Sequence, residues 1–222
     1  MIIGRDFAWG HIPRTGGDIT AELFLLAHGF DGGLIVTADS PGNLNKHDTF
    51  DECGIPDDMP CVLNIRRLPG FLMSWIIMCS GRLRPCDERC FSGGIWPPFT
   101  PLPLPTKRQI LDPSAPYGPD YFHKYYGGCF ATLPDFLLRQ HVGERDVRWL
   151  RLEYLKADFL EFIATVSHLT PGQASTIMRH KYMIKRPFKY DHCVASFFTP
   201  DEIETLYGNN PLWGKIEREH AG

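Results

Sequence analysis

The sequence predicts an α/β fold with a mainly parallel sheet flanked by helices. Three observations carry that prediction. Short apolar runs rich in β-branched residues alternate along the chain with segments of helical period, as expected for strands covered by helices on both faces. A Gly16-Gly17 turn joins the first strand pattern to the first helix pattern. A chain of 222 residues, 43% of them hydrophobic, is long enough for one substantial core and short for two, so residues 1–222 are expected to form a single domain.

The elements follow in order. Phe7, Trp9 and His11 alternate with Ala8, Gly10 and Ile12, which predicts a strand over 6–12. Ile19, Leu23, Leu26 and Ala27 share one face of a helix over 18–29, and Leu34 to Ala38 reads as a second strand. Cys61 to Arg66 reads as a buried strand, followed by Phe71, Leu72, Trp75, Ile76 and Met78 on a helix over 70–82. A further helix is expected over 133–141, a strand over 147–153 and a helix over 157–167. Thr170-Pro171 places a capping residue before a proline at the first helical position. Thr199-Pro200-Asp201-Glu202 contains a capping box, with Gly208 as the expected stop. Residues 84–127 differ from the rest. Prolines at 97, 98, 101, 103 and 105 forbid a regular helix, and Tyr117, Tyr121, Phe122, Tyr125 and Tyr126 follow, so this insertion is expected to form a lid or a wall of a binding site, with packing over the sheet edge and docking of another protein as the alternatives.

The chemistry concentrates at His11-Ile12-Pro13-Arg14-Thr15-Gly16-Gly17-Asp18-Ile19-Thr20. A strand, a glycine turn and a helix start make an anion cradle, because the first turn of a helix leaves N–H groups unpaired and carries a partial positive charge. Arg14 adds a permanent, forked positive charge suited to phosphate or sulfate oxygens. A Walker loop would need lysine and a hydroxyl after its last glycine; here Asp18-Ile19 follows, which disfavours an ATP–magnesium machine.

Ile12 to Thr20 instead resembles the I-P-K-T-G-G-T-S loop of sulfotransferases that use 3′-phosphoadenosine 5′-phosphosulfate (PAPS). The second phosphate site of that family lies at a strand-end arginine with a serine eight positions on, which Arg66 and Ser74 match, although Arg67-Leu68-Pro69 has one residue more before the proline. Asn45-Lys46-His47-Asp48-Thr49 resembles the K-H-A-T stretch of carbohydrate-type members, and Val147 to Leu160 resembles their "F-L-R-x-E-x-L" strand with "D-F" after it. The resemblance reaches from about residue 7 to about residue 165. The chain departs from the family at Arg14, where a lysine is usual, and at Asp18 and Ile19, where hydroxyl side chains are usual.

The resemblance implies a P-loop-NTPase-like sulfotransferase fold and transfer of a sulfuryl group from PAPS to an acceptor hydroxyl, of a carbohydrate or small metabolite, with PAP as product. It implies that Arg14, Thr15, Gly16, Gly17, Asp18, Ile19 and Thr20 hold the 5′ end of the donor. Arg66 and Ser74 would hold the 3′-phosphate, with Lys185, Arg186 and Lys189 closing over it. Arg14 would stabilise the leaving phosphate and His47 would act as base, since imidazole titrates near neutrality; His11 is the rival base. Glu153 is expected to pair structurally with an arginine. The competing readings are a P-loop nucleotide or small-molecule kinase, and a non-catalytic nucleotide-binding or interaction domain.

Composition narrows the field. A net charge of −3 offers no global basic field for nucleic acid. The N-terminus lacks a basic start followed by an apolar run, and no stretch reaches membrane-spanning length, so no membrane anchor is expected. Seven cysteines without paired spacing favour reduced thiols and a cytoplasmic setting. Cys86-x-x-x-Cys90 lacks two further ligands at zinc spacing, so no metal is expected.

Overall fold

The computed structural model describes residues 1–38, 47–79, 103–118, 120–181 and 190–220. Among them the chain forms two compact units, one from Met1–Arg66 and His141–Pro187, the other from Arg67–Gln140 and Phe188–Gly222.

The first unit is α/β. Strands β1 (Ile2–Gly4), β2 (Ala8–Trp9), β3 (Ile35–Ala38), β4 (Cys61–Ile65) and β5 (Val147–Arg151) form one sheet in the order β3-β1-β2-β4-β5. The sheet is mixed, where the sequence predicts a mainly parallel one. β2, β4 and β5 pair in parallel, but β1 pairs antiparallel with both β2 and β3. The reason is local: Gly4 N–H donates to the Phe7 carbonyl and folds the first nine residues into a hairpin, which inserts β1 between β2 and β3. Three residues are too few to show a period of two, so β1 is invisible to pattern reading.

Helix α1 (Gly17–Phe30) follows β2. The 3-10 turn Leu152–Tyr154 leads from β5 into α6 (Leu155–Val166), and α7 (Pro171–Arg179) follows. Leu23, Phe24 and Ala27 of α1 meet Phe159, Phe162 and Ile163 of α6 in one core with Phe7, Trp9, Val62 and Leu150 of the sheet region. The rings there interlock edge to face, with Phe24 and Phe159 centroids 4.9 Å apart and Phe7 and Phe162 5.1 Å apart. β4 is buried along its whole length, as its mostly apolar run predicts, with Asn64 as its one polar residue.

The second unit is helical: α2 (Leu68–Cys79), α3 (Lys107–Leu111), α4 (Asp120–Tyr126), α8 (Tyr190–Phe197), α9 (Pro200–Asn209) and α10 (Pro211–Glu219), with most of α5 (Leu133–Val142). Phe71 packs on Trp213, with centroids 4.5 Å apart. The described part of the proline- and aromatic-rich segment contributes to this core. Tyr117, 1% exposed, donates to the Pro103 carbonyl at 2.6 Å and meets Phe122 and Phe130 edge to face. Residues 84–102 of that segment lie outside the described residues, as do Cys86 and Cys90.

The capping signals predict their helices well. Thr170 and Gln173 close α7, and Thr199 and Glu202 close α9, each by a reciprocal box with a proline after the cap. α9 runs to Asn209, one residue past the Gly208 stop that the sequence suggests. Among the described residues, no helix is long and apolar enough to cross a membrane.

Candidate functional site

The candidate site is built around the turn between β2 and α1. Pro13 sets φ for a turn in which the Thr15 N–H donates to the Ile12 carbonyl at 3.3 Å. Arg14 follows with φ 73°, the positive value that a type II turn demands at its third position. Glycine is the ordinary occupant there, and among the described residues Arg14 is the only non-glycine with positive φ. A left-handed residue with a Cβ costs roughly 1–2 kcal/mol. The turn therefore holds a guanidinium-bearing side chain where a cheaper residue would serve the backbone.

The two glycines answer to different constraints. Gly16 is the N-cap of α1 at φ 95° and makes no side-chain capping bond, and a Cβ there would stand 2.4 Å from Leu152 Cδ1. A Cβ on Gly17 would meet the His11 imidazole at 2.2 Å. Gly17 thus lets the His11 ring lie directly against the start of the helix. Both residues open the helix N-terminus to close neighbours, as an anion cradle also requires.

The hydroxyls of the turn hold its shape. Thr15 donates to the Ile12 carbonyl at 2.7 Å, and Thr20 donates to the Gly16 carbonyl at 3.1 Å. Asn64 of β4 donates to Thr20 Oγ1 at 2.7 Å and accepts from Trp9 Nε1 at 2.7 Å. Asn64 and Thr20 are fully buried and Trp9 nearly so, so this chain of bonds fastens the helix start to two adjacent strands. Asp18, the second residue of α1, is exposed, and Ile19 is half-buried against the core. A carboxylate in the first turn favours the helix through its dipole, and it also sets a negative charge beside the cradle.

Three histidines gather at this turn. The His11 and His47 rings meet edge to face with centroids 4.3 Å apart, and His11 also stacks on Trp9 at 5.7 Å. His47 Nδ1 lies 3.4 Å from the His11 carbonyl oxygen, and His141 Nε2 lies 3.2 Å from the His47 carbonyl oxygen. His11 and His141 are buried and His47 is half-buried. The two histidines that the sequence offers as base are therefore in mutual contact.

Other expected residues fall as follows. Arg66 ends the β4 stretch and is buried, at 8% exposed. Ser74 belongs to α2 in the other unit and donates its hydroxyl to the Phe71 carbonyl at 2.9 Å, a bond within its own helix. The buried carboxylate beside Arg151 is Asp158, which accepts from Nε and from Nη2 at 2.8 Å each and from the Arg151 backbone N–H; Glu153 is exposed. The Arg151 pKa is raised, first by its hydrogen bond to Asp158. Lys46, Lys185, Arg186 and Lys189 lie outside the described residues. Among the described residues no group of three or more His, Cys, Asp or Glu side chains is arranged to hold a metal ion.

Sequence reading missed Asn64 and His141. Asn64 carried a signal, since an amide inside an apolar strand run must find buried partners. His141 carried none, because its partner His47 lies 94 residues away in sequence.

The loop that carries His47 is held in place by Arg145. Its guanidinium donates to Asp51, to Asp57 and to the Ile55 and Pro56 carbonyls at 2.8–3.2 Å, and its pKa is raised, first by Asp51. This fork clamps residues 51–57 against the turn before β5.

No family model matches the chain, and no curated protein and no solved structure matches it.

Proposed function

We propose that the chain binds PAPS and transfers its sulfuryl group to an acceptor hydroxyl. One observation carries this reading. The β2–α1 turn, with Arg14 at its strained apex, and the buried Arg66 lie beyond the C-terminal ends of two adjacent parallel strands in one unit. Ligands of open α/β sheets collect at that edge, and a donor with two separated phosphate groups needs two cationic points there. The finer fold reading is a P-loop-like arrangement in which β2 bears the phosphate loop and four of the five strands run in one direction.

The chemistry follows from those positions. The acceptor oxygen attacks sulfur, its bond to sulfur forms as the bond from sulfur to the 5′-phosphate oxygen breaks, and PAP leaves. Arg14 and the helix N-terminus stabilise charge on the leaving phosphate, and a histidine of the His11–His47 pair takes the acceptor proton. As in phosphoryl transfer, positioning and electrostatics do most of the work.

Calorimetric titration with PAP, with AMP and ATP–magnesium alongside, tests the reading. PAP should bind at least tenfold more tightly than AMP, and Arg66→Ala should erase that preference. Equal binding of PAP and AMP would overturn the two-phosphate site. Preference for ATP–magnesium would point to a kinase, and tight PAP binding with no turnover on any hydroxyl acceptor would point to a non-catalytic nucleotide-binding domain.

A further inference from the structure

The histidine cluster says more than which residue is nearest the turn. A carbonyl oxygen only accepts hydrogen bonds, so each imidazole nitrogen facing one must carry the proton. His47 Nδ1 faces the His11 carbonyl at 3.4 Å, a long bond that specifies the Nδ1–H form of the neutral ring. The lone pair of neutral His47 is then on Nε2. His141 Nε2 faces the His47 carbonyl at 3.2 Å and likewise carries its proton, so His141 grips the backbone of the residue whose ring is being oriented. The His11 ring, wedged between Trp9 and Gly17, supplies the flat edge-to-face support for His47 at 4.3 Å. The three contacts come from β2's end, the loop of His47 and the last turn of α5, and none of them is local in sequence.

We propose that His11 and His141 are positioning residues that hold His47 as its Nδ1–H tautomer, making Nε2 the atom that accepts a proton. This rests on the reading of the turn as a group-transfer site, and it specifies the base within it. The acceptor O–H bond breaks, its proton goes to His47 Nε2 to give an imidazolium, and the oxygen lone pair forms the new bond to sulfur. A free histidine side chain prefers the opposite tautomer, Nε2–H, so the fold has to impose this one. The consequence is large in principle, since a base offered in the wrong tautomer loses on the order of 10⁴-fold in rate in the serine-protease triad.

The test is two-bond ¹H–¹⁵N correlation spectroscopy of the full ¹⁵N-labelled chain, at a pH where the imidazoles are neutral. His47 is assigned by the signal lost in His47→Gln. The expected result is a protonated Nδ1 and a bare Nε2 for His47. His141→Leu should shift the ring toward the Nε2–H form, and His141→Gln, whose amide restores a donor where Nε2 stood, should return it to Nδ1–H. Turnover, where measured, should fall at least tenfold in His141→Leu and recover in His141→Gln, with PAP affinity changed less than twofold in both. A wild-type His47 in the Nε2–H form would overturn the proposal without any variant having to fold. So would a His141→Leu protein that keeps Nδ1–H. Absence of PAP binding to the wild type, by contrast, would remove the sulfotransferase reading and leave the tautomer result standing, so the two failures are distinct.

Discussion

Two helix starts in this protein solve the same problem in opposite ways. At α10 the exposed donors are closed from inside: Asp135 accepts from the Leu212 and Trp213 N–H groups at 3.0 and 2.8 Å. Asn210 completes that corner, donating to the Ala131 and Leu206 carbonyls and accepting from the Asp135 N–H. At α1 the N-cap is Gly16, with no side-chain capping bond, and the neighbours are an arginine in a left-handed conformation and a buried histidine ring. One start spends a buried carboxylate on stability; the other begins at a glycine cap that offers no side chain of its own and follows a residue in a strained left-handed conformation.

The comparison can be broken at either end. Asp135→Ala removes a buried carboxylate that serves two backbone donors, and it should cost about 3 kcal/mol, read as a lower denaturant midpoint. PAP affinity should be unchanged; a loss of less than 1 kcal/mol would mean that water closes α10 equally well. Gly16→Ala forces a Cβ onto a left-handed backbone and against Leu152, and should cost about 2 kcal/mol by the same measurement. If the variant were as stable as the wild type, the turn would not be the tight element described.

Arg14→Gly sharpens the contrast, because it relieves the turn while deleting its charge. The left-handed penalty relieved and the chain entropy added by glycine are each about 1 kcal/mol, so stability should barely move. PAP affinity should fall at least about tenfold, or about 1.4 kcal/mol. Unchanged affinity would leave the strain at Arg14 without a function. The smallest effect belongs to an ordinary cap: Thr199→Ala should cost about 1 kcal/mol and leave ligand binding alone.

Local features were readable in advance for a physical reason. The Thr170-Pro171 cap and the box from Thr199 to Glu202 act within one turn, so no more than four residues contain the whole signal. β4 announces itself by a short, mostly apolar run, and α1 by its apolar spacing preceded by Gly-Gly at its start. The strand predicted over 6–12 shrank to Ala8–Trp9 because Pro13 and the turn draw His11 and Ile12 out of the ladder. β1 was missed because its pairing, rather than its pattern, makes it a strand.

The candidate site divides along the same line. Its charges and its glycine turn are written consecutively from His11 to Thr20, and their sequence alone determined that an anion-binding turn was worth expecting. Three features were decided only by tertiary structure. Asn64 ties Thr20 to Trp9, His47 comes to the His11 carbonyl, and His141 reaches back across 94 residues to hold His47. A hydrogen bond has no period and leaves no spacing. It forms where packing of the core brings two strands, a loop and a helix end to the same point, and that point exists only in the folded chain.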